Sequence, residues 1–124
     1  MSTQKYCILK DHTLNYEGKI LYRIQAIKNF GDVKNGDIGG WVEKDFNLSH
    51  KGDCWVYDDS KIFGTAAIYG NAKVYGNSAV GGSVYVFDNA WICGNATIIS
   101  HQSIRRFSGQ TWISNSFAVN LNLN

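Results

Sequence analysis

Three histidines, His12, His50 and His101, are the side chains whose ordinary pKa would suit a general base near neutral pH. In acyl transfer, such a base takes a proton from the acceptor's hydroxyl or amine. The surroundings of these three point elsewhere. His12 falls in the polar stretch Asp11-His12-Thr13 and reads as a solvated turn residue. His50 neighbours an inward position of an irregular coil and reads as structural. His101 takes a slot that Asn71 and Asn95 fill elsewhere, a corner position. The cysteines, Cys7, Cys54 and Cys93, are odd in number and lack C-x-x-C or zinc-ligand spacing. Reduced structural thiols are expected, with no metal and no other cofactor.

Groups suited to recognition are better supplied. Trp55, Tyr57, Lys73, Tyr75, Trp91 and Cys93 share one phase of an 18-residue register, and Trp112 joins them after a break. A second phase holds Lys61, Phe63, Ala79, Gly81, Thr97 and Ile99. A third holds Ala67, Tyr69, Tyr85, Phe87, Ser103 and Arg105, with Arg106 alongside. Aromatic and Arg side chains dominate binding hot spots, and aligned exposed aromatics mark interaction surfaces. Stacked rings can also simply tie neighbouring coils together. Rings stack bases too, but only with a basic groove beside them, and Lys73 is the one cation near the Trp phase. Nucleic acid is therefore not the expected partner.

These phases exist because the chain repeats. From Gly52 it reads in blocks of six: GDCWVY, DDSKIF, GTAAIY, GNAKVY, GNSAVG, GSVYVF, DNAWIC, GNATII, SHQSIR. The fifth residue is always aliphatic, from Val56 to Ile104. The third is mostly small, as in Cys54, Ser60, Ala66 and Ala72. Gly, Asn and Asp open the blocks and supply turns in a chain without proline. A short fixed period names the architecture before local propensity does. Each block is a short strand and a turn, and three blocks close a triangular coil. A pentapeptide-repeat helix needs a period of five, and a helical solenoid needs much longer repeats. The expected fold is all-β, a left-handed parallel β-helix of three-sided hexapeptide coils with a small N-terminal β-hairpin cap. Residues 1–36 form the cap and 37–124 the helix body with its C-terminal coil.

Within the cap, Tyr6-Cys7-Ile8-Leu9 and Lys19 to Ile27 are the strand-forming runs, and Tyr16-Glu17-Gly18 supplies a turn between them. Ile20, Tyr22 and Ile24 alternate with Leu21, Arg23 and Gln25. Asn29 to Gly40 is the junction. Phe46, Leu48 and His50 continue an inward alternation in an irregular first coil. The period breaks at Arg105-Arg106-Phe107 and resumes three residues late, predicting a bulge or small loop.

The 124 residues carry a net charge of +2, which suits neither an acidic nucleic-acid mimic nor a strongly basic binder. Hydrophobic content of 44% is enough for a packed core. No apolar run approaches the roughly 20 residues of a membrane span, and the first residues lack the apolar core of a signal peptide. A cytoplasmic location is expected. The chain closes on the uncharged Leu121-Asn122-Leu123-Asn124. An apolar edge of that kind needs a cover, supplied either by the tail folding over it or by a second copy of the chain.

The spacing of aliphatic to small residue, as in Ile68 to Ala72 and Val74 to Ser78, resembles the hexapeptide motif of left-handed β-helix proteins. Many of those are trimeric acyltransferases that bind acyl-CoA between subunits. The segment Gly31 to Glu43, with its Gly39-Gly40-Trp41 turn, and the Tyr-Gly-Asn-Ala repeats resemble a group of phage and prophage proteins and the enterobacterial YdcK proteins. The family's catalytic pattern is not matched residue by residue, so no catalytic residue carries over. The phage resemblance implies a protein-binding inhibitor of a host process, such as CRISPR-Cas or another defence, inside a bacterial host cell. The expected contacts are Trp55, Tyr57, Tyr75, Trp91, Trp112, Tyr69, Tyr85, Phe87, Arg105 and Arg106, used for a partner or for a homodimer. The alternative is an acyltransferase-like protein binding acyl-CoA between subunits.

Overall fold

The structure, a computed structural model, describes residues 4–107, 112–113 and 118–120, with side chains described up to residue 99. Within those residues every regular element is a strand, apart from one 3-10 turn at Asp45–Asn47. The period of six builds what the sequence implies. Val56, Ile62, Ile68, Val74, Val80, Val86, Ile92 and Ile98 all point into the prism and are fully buried. The small third positions, among them Cys54, Ser60, Ala66 and Ala72, are fully buried as well. Each inward Val or Ile stabilises the stack by about 1.5–3 kcal/mol.

The corners turn through left-handed backbone. Gly64, Gly70, Gly76, Gly82 and Gly94 have positive φ, and Asp58 and Asp88 adopt φ of 57° at equivalent corners. The strands between corners are two residues long: β4 (Trp55–Val56), β5 (Lys61–Ile62), β6 (Ala67–Ile68), β7 (Lys73–Val74) and β9 (Trp91–Ile92). Two run on through a corner and serve two faces, β8 (Ala79–Val86) and β10 (Thr97–Phe107). Parallel pairing is in steps of 18 residues: Trp55 stands beside Lys73 and Lys73 beside Trp91, Lys61 beside Ala79 and Ala79 beside Thr97. The four-stranded sheet has the order β11-β9-β7-β4, with β11 at Trp112–Ile113. The remaining strands make one larger sheet that takes in the cap.

The cap is a hairpin of β1 (Tyr6–Tyr16) and β2 (Lys19–Ala26), turned at Glu17-Gly18, both with positive φ. β2 pairs antiparallel with β3 (Ile38–Val42), and β3 pairs parallel with β5, so hairpin and prism share a sheet. Asp11-His12-Thr13, expected as a turn, lies inside β1. The register slips between Leu9 and Thr13, so Lys10, Asp11 and His12 form a bulge in one long strand. The alternation in β2 also differs. Leu21, Ile24 and Ala26 are buried while Ile20 is exposed, because the register to β3 slips between Arg23 and Gln25.

The first coil needs special chemistry. Between coils, N–H groups of one coil donate to carbonyls of the next, as Trp55 N–H does to Ala72 O. At the first coil, the carbonyls of Gly52 and Cys54 face the end of the stack, where no earlier coil offers them N–H groups. Lys5, fully buried, donates through Nζ to Gly52 O at 3.1 Å and Cys54 O at 2.6 Å. The Asp45–Asn47 turn replaces a strand, and the buried Asn47 amide supplies the missing donors, to Gly64 O at 3.3 Å and Ala66 O at 2.7 Å. The Tyr6 hydroxyl donates to Leu48 O at 2.6 Å and lies 2.8 Å from Asp45 O. An unpaired buried carbonyl costs about 1–3 kcal/mol, so these donors close the end of the prism. Of the inward alternation expected here only Leu48 is buried. Phe46 sits in the 3-10 turn and is 52% exposed.

Two further expectations are corrected. Trp55 and Phe63, placed on outer faces by the period, are only 2% and 4% exposed. Both leave the prism on the outer side, but non-repetitive chain covers them. Tyr6, Phe30 and Gly39 pack on Trp55. Leu21 of the hairpin, with Leu14 and Tyr16 beside it, packs on Phe63. The second correction concerns the break. Ser100 still pairs with Gly82, but Arg105 pairs with Val84 and Phe107 with Val86. The three extra residues therefore enter between Ser100 and Arg105, and Phe107, not Ile104, stands beside inward Val86. The final coil at 121–124 lies outside the described residues.

Candidate functional site

The outer face of the four-stranded sheet carries three aromatic rings on consecutive coils. Tyr57 and Tyr75 have centroids 5.9 Å apart at 76°, and Tyr75 and Trp91 are 5.9 Å apart at 77°. Edge-to-face pairs of this kind add about 0.5–1.5 kcal/mol each beyond area burial. The 18-residue step puts them there: each follows or precedes an inward Val or Ile by one position, so each points out.

An ionic group lies at the lower end of this ladder. Tyr57 Oη donates to Asp32 Oδ1 at 2.7 Å, and Lys73 Nζ donates to Tyr57 Oη at 3.0 Å and sits 3.5 Å from Asp32 Oδ1. Asp32 comes from the loop between β2 and β3, where Phe30 and Val33 pair through their backbones to form a tight turn. The hydrogen bond from Tyr57, then the charge of Lys73, holds the Asp32 carboxyl below the usual carboxylate range. Burial, with Asp32 beside it, pushes the Tyr57 phenol up out of the range where it would ionise. Burial and a hydrogen bond with Cys93 push Tyr75 up too. Both rings therefore stay neutral hydrogen-bonding groups. Asp58 occupies a left-handed corner and accepts the Gly76 N–H through Oδ2 at 3.1 Å. Asp32, Tyr57, Asp58, Lys73, Tyr75 and Trp91 line a groove of about 300 Å³. Such a groove can take an apolar or planar group and orient it with polar atoms at one end.

The structure separates the expected contact residues. Tyr57, Tyr75 and Trp91 come together. Trp55 is in their phase but buried beneath the cap. Tyr69 and Phe87 stack 4.9 Å apart at 5° on another face, where Tyr85 is half-buried. The backbone of Trp112 is in register beside Trp91, and that of Arg106 beside Tyr85. The side chains of Trp112, Arg105 and Arg106 lie outside the described residues. Asp32 and Asp58 were not among the expected contacts. Asp32 lies 25 residues before Tyr57 in the non-repetitive loop, and no periodicity relates the two.

His50 has the structural role expected of it, and His12 is solvated as expected but in a strand bulge rather than a turn. His50 accepts the Lys5 backbone N–H through Nδ1 at 3.2 Å, so its Nε2 carries the hydrogen and donates to Asp45 Oδ1 at 2.9 Å. Its ring stacks on Tyr6 at 4.1 Å. With both nitrogens engaged it has no lone pair for a substrate proton. His12 is exposed, in the β1 bulge, 3.0 Å from Asp11 Oδ1. The backbone of His101 falls in the three-residue insertion of β10, and its side chain lies outside the described residues. Among the described residues no group of three or more His, Cys, Asp or Glu could hold a metal ion. No helix among them is long and apolar enough to cross a membrane.

No protein-family model matches the chain. Over 48 residues it is 45% identical to a protein of Escherichia coli strain K12 named uncharacterized acetyltransferase YdcK. That stretch is 38% of this chain and 15% of the YdcK protein, so this chain matches only a small part of that relative's length. The similarity agrees with a hexapeptide-repeat β-helix.

Proposed function

We propose that the chain is a non-catalytic β-helical binding protein that engages a protein partner through the Tyr57–Tyr75–Trp91 groove. The observation that carries this reading is the ladder itself. Three rings 5.9 Å apart on a rigid sheet, with an oriented Asp32–Tyr57–Lys73 group at one end, form a ready anchor site. Rigid aromatic anchors lose little conformational freedom on binding, which favours affinity. The two histidines with described side chains support the absence of catalysis, since His50 is fully engaged and His12 is outside the groove. The phage and prophage resemblance of the Gly31–Glu43 segment supports a partner inside a bacterial host cell, with a defence system such as CRISPR-Cas as the class to test first.

The test is capture from host lysate by immobilised protein, followed by mass spectrometry. Trp91→Ala and Tyr75→Ala should each lose the captured partner while keeping the wild-type circular-dichroism spectrum. Undiminished capture by both variants removes the groove as the contact. Self-association through the C-terminal half belongs to the same proposal, and a monomeric mass by light scattering at micromolar concentration would sink it.

A second reading, acyl transfer, is favoured by the name of the YdcK relative. In that case acetyl-CoA would raise the melting temperature, and His101→Ala would remove the activity. Absence of a shift at millimolar acetyl-CoA counts against it.

A further inference from the structure

The buried pair Lys5 and Cys54 is used by no part of the groove. Lys5 Nζ lies 3.4 Å from Cys54 Sγ and 4.5 Å from the centroid of Phe30. Its other neighbours are the carbonyls of Gly52 and Cys54. Lys5 and Cys54 are both fully buried, and the ion pairs among the described residues do not include Lys5. A lysine held by carbonyls and a thiol, without a carboxylate, is an amine placed against sulfur.

We propose that Cys54 and Lys5 are a covalent modification site, in which peroxide oxidation of the thiol leads to a sulfenamide joining the cap to the first coil. Hydrogen peroxide supplies the two oxidising equivalents. The Cys54 sulfur displaces hydroxide from the peroxide, the thiol proton leaves with it as water, and the product is a sulfenic acid. The Lys5 amine lone pair then attacks that sulfur. The S–O bond breaks, and the departing hydroxide takes an amine proton to leave as a second water. The net change is thiol plus amine plus hydrogen peroxide to sulfenamide plus two waters.

Three features of the geometry favour the second step. The amine is already within 3.4 Å of sulfur and is held there by its carbonyl acceptors. Burial pushes the Lys5 amine down from its ordinary value, toward the neutral form that is a nucleophile. The dry site excludes water and free thiols, which would otherwise consume the sulfenic acid. Burial also pushes the Cys54 thiol up, so the closed thiol reacts slowly with peroxide. The oxidation therefore belongs to local openings that lift Lys5 from the first coil, and reclosure presents the amine to the oxidised sulfur.

The experiment treats the Cys7→Ser/Cys93→Ser protein with hydrogen peroxide and maps tryptic peptides, a background in which no disulfide can form within the chain. A species joining the Lys5 peptide to the Cys54 peptide should appear, about 2 Da lighter than their sum and split by dithiothreitol. Cleavage after Lys5 should be blocked in that species. The link closes a span of 49 residues, so the oxidised protein should melt several degrees higher than the reduced one. Lys5→Arg keeps donors for the two carbonyls and should abolish the link. Unlinked Cys54 carrying only added oxygen, or a link that persists in Lys5→Arg, would overturn the assignment. Because peptide mapping reads the bond directly, the result does not depend on the stability of any variant.

Discussion

Two outer faces of the prism use the same repeat positions to opposite ends. On the face of β5 and β8, Phe63 turns outward and finds a neighbour without a side chain. A Cβ on Gly81 would collide with the Phe63 ring, so the ring lies across that glycine and under the hairpin residues Leu14, Tyr16 and Leu21. On the face of β4, β7 and β9, the same position holds Tyr57 and Tyr75, and Trp91 projects beside them from the other outward position of its block, each ring 5.9 Å from the next. The first face becomes core, and the second stays a groove. The difference teaches that a repeat decides which way a side chain points, while the non-repetitive segments decide whether it stays wet.

The comparison breaks most readily at Phe63. Phe63→Ala should destabilise by about 3–5 kcal/mol in urea unfolding, the usual cost of emptying a buried aromatic site. If it costs no more than Tyr75→Ala, the two faces do not differ as described. Next in size is Gly81→Ala, expected to cost about 1–3 kcal/mol by overpacking against the ring. Made in a Phe63→Ala background it should cost far less, and a double-mutant cycle without coupling would refute the stated contact. Tyr75→Ala should cost about 1 kcal/mol, since the half-exposed ring gives up edge-to-face contacts and little burial.

The smallest effect tests how the loop is pinned to the open face. Asp32 is largely exposed, so Asp32→Asn should cost less than about 1 kcal/mol at neutral pH. Its folded pKa is depressed by Tyr57 and Lys73, so the carboxylate stabilises the folded state above the unfolded value of 3.8 and loses that effect as pH falls through the folded value. The difference between wild type and Asp32→Asn should therefore vanish in acid. Lys5 has the opposite kind of dependence. Its depressed pKa means the unfolded chain binds more protons between the folded and unfolded values, so stability should rise with pH toward 10.5. Lys5→Met should flatten that rise, measured by urea midpoints across the alkaline range.

Much of the prism was legible from residue types. Aliphatic residues every six positions, small ones two before them and left-handed corners at Gly and Asp dictate a three-sided stack, and the structure has it. The hairpin turn at Glu17-Gly18 was equally plain. What periodicity could not supply were contacts between the repeat and everything else. The pairing of Asp32 with Tyr57 joins a loop to a coil, and the burial of Trp55 depends on where Phe30 and Tyr6 come to rest. The first coil steps by 20 residues, from Trp41 to Lys61 and from Leu48 to Ile68, because the chain between Leu48 and Val56 is two residues longer than one block. The insertion in β10 was misplaced for a related reason. Ile104 satisfies the aliphatic rule by composition, so the pattern ran on past Ser100 although the register had already slipped. Lys5 gave no signal at all, since a lysine near a strand start ordinarily means solvent.

That lysine has a consequence for assembly. β4 is the last strand of its sheet, and its outer edge offers the acceptors that a foreign strand would use to extend the stack. Lys5 already occupies the carbonyls of Gly52 and Cys54 there, and its side chain has no second row of hydrogen-bonding groups to offer onward. The molecule thus carries a chain terminator for cross-β polymerisation at one edge, and without it a rigid stack of identical coils would be a good seed for fibrils.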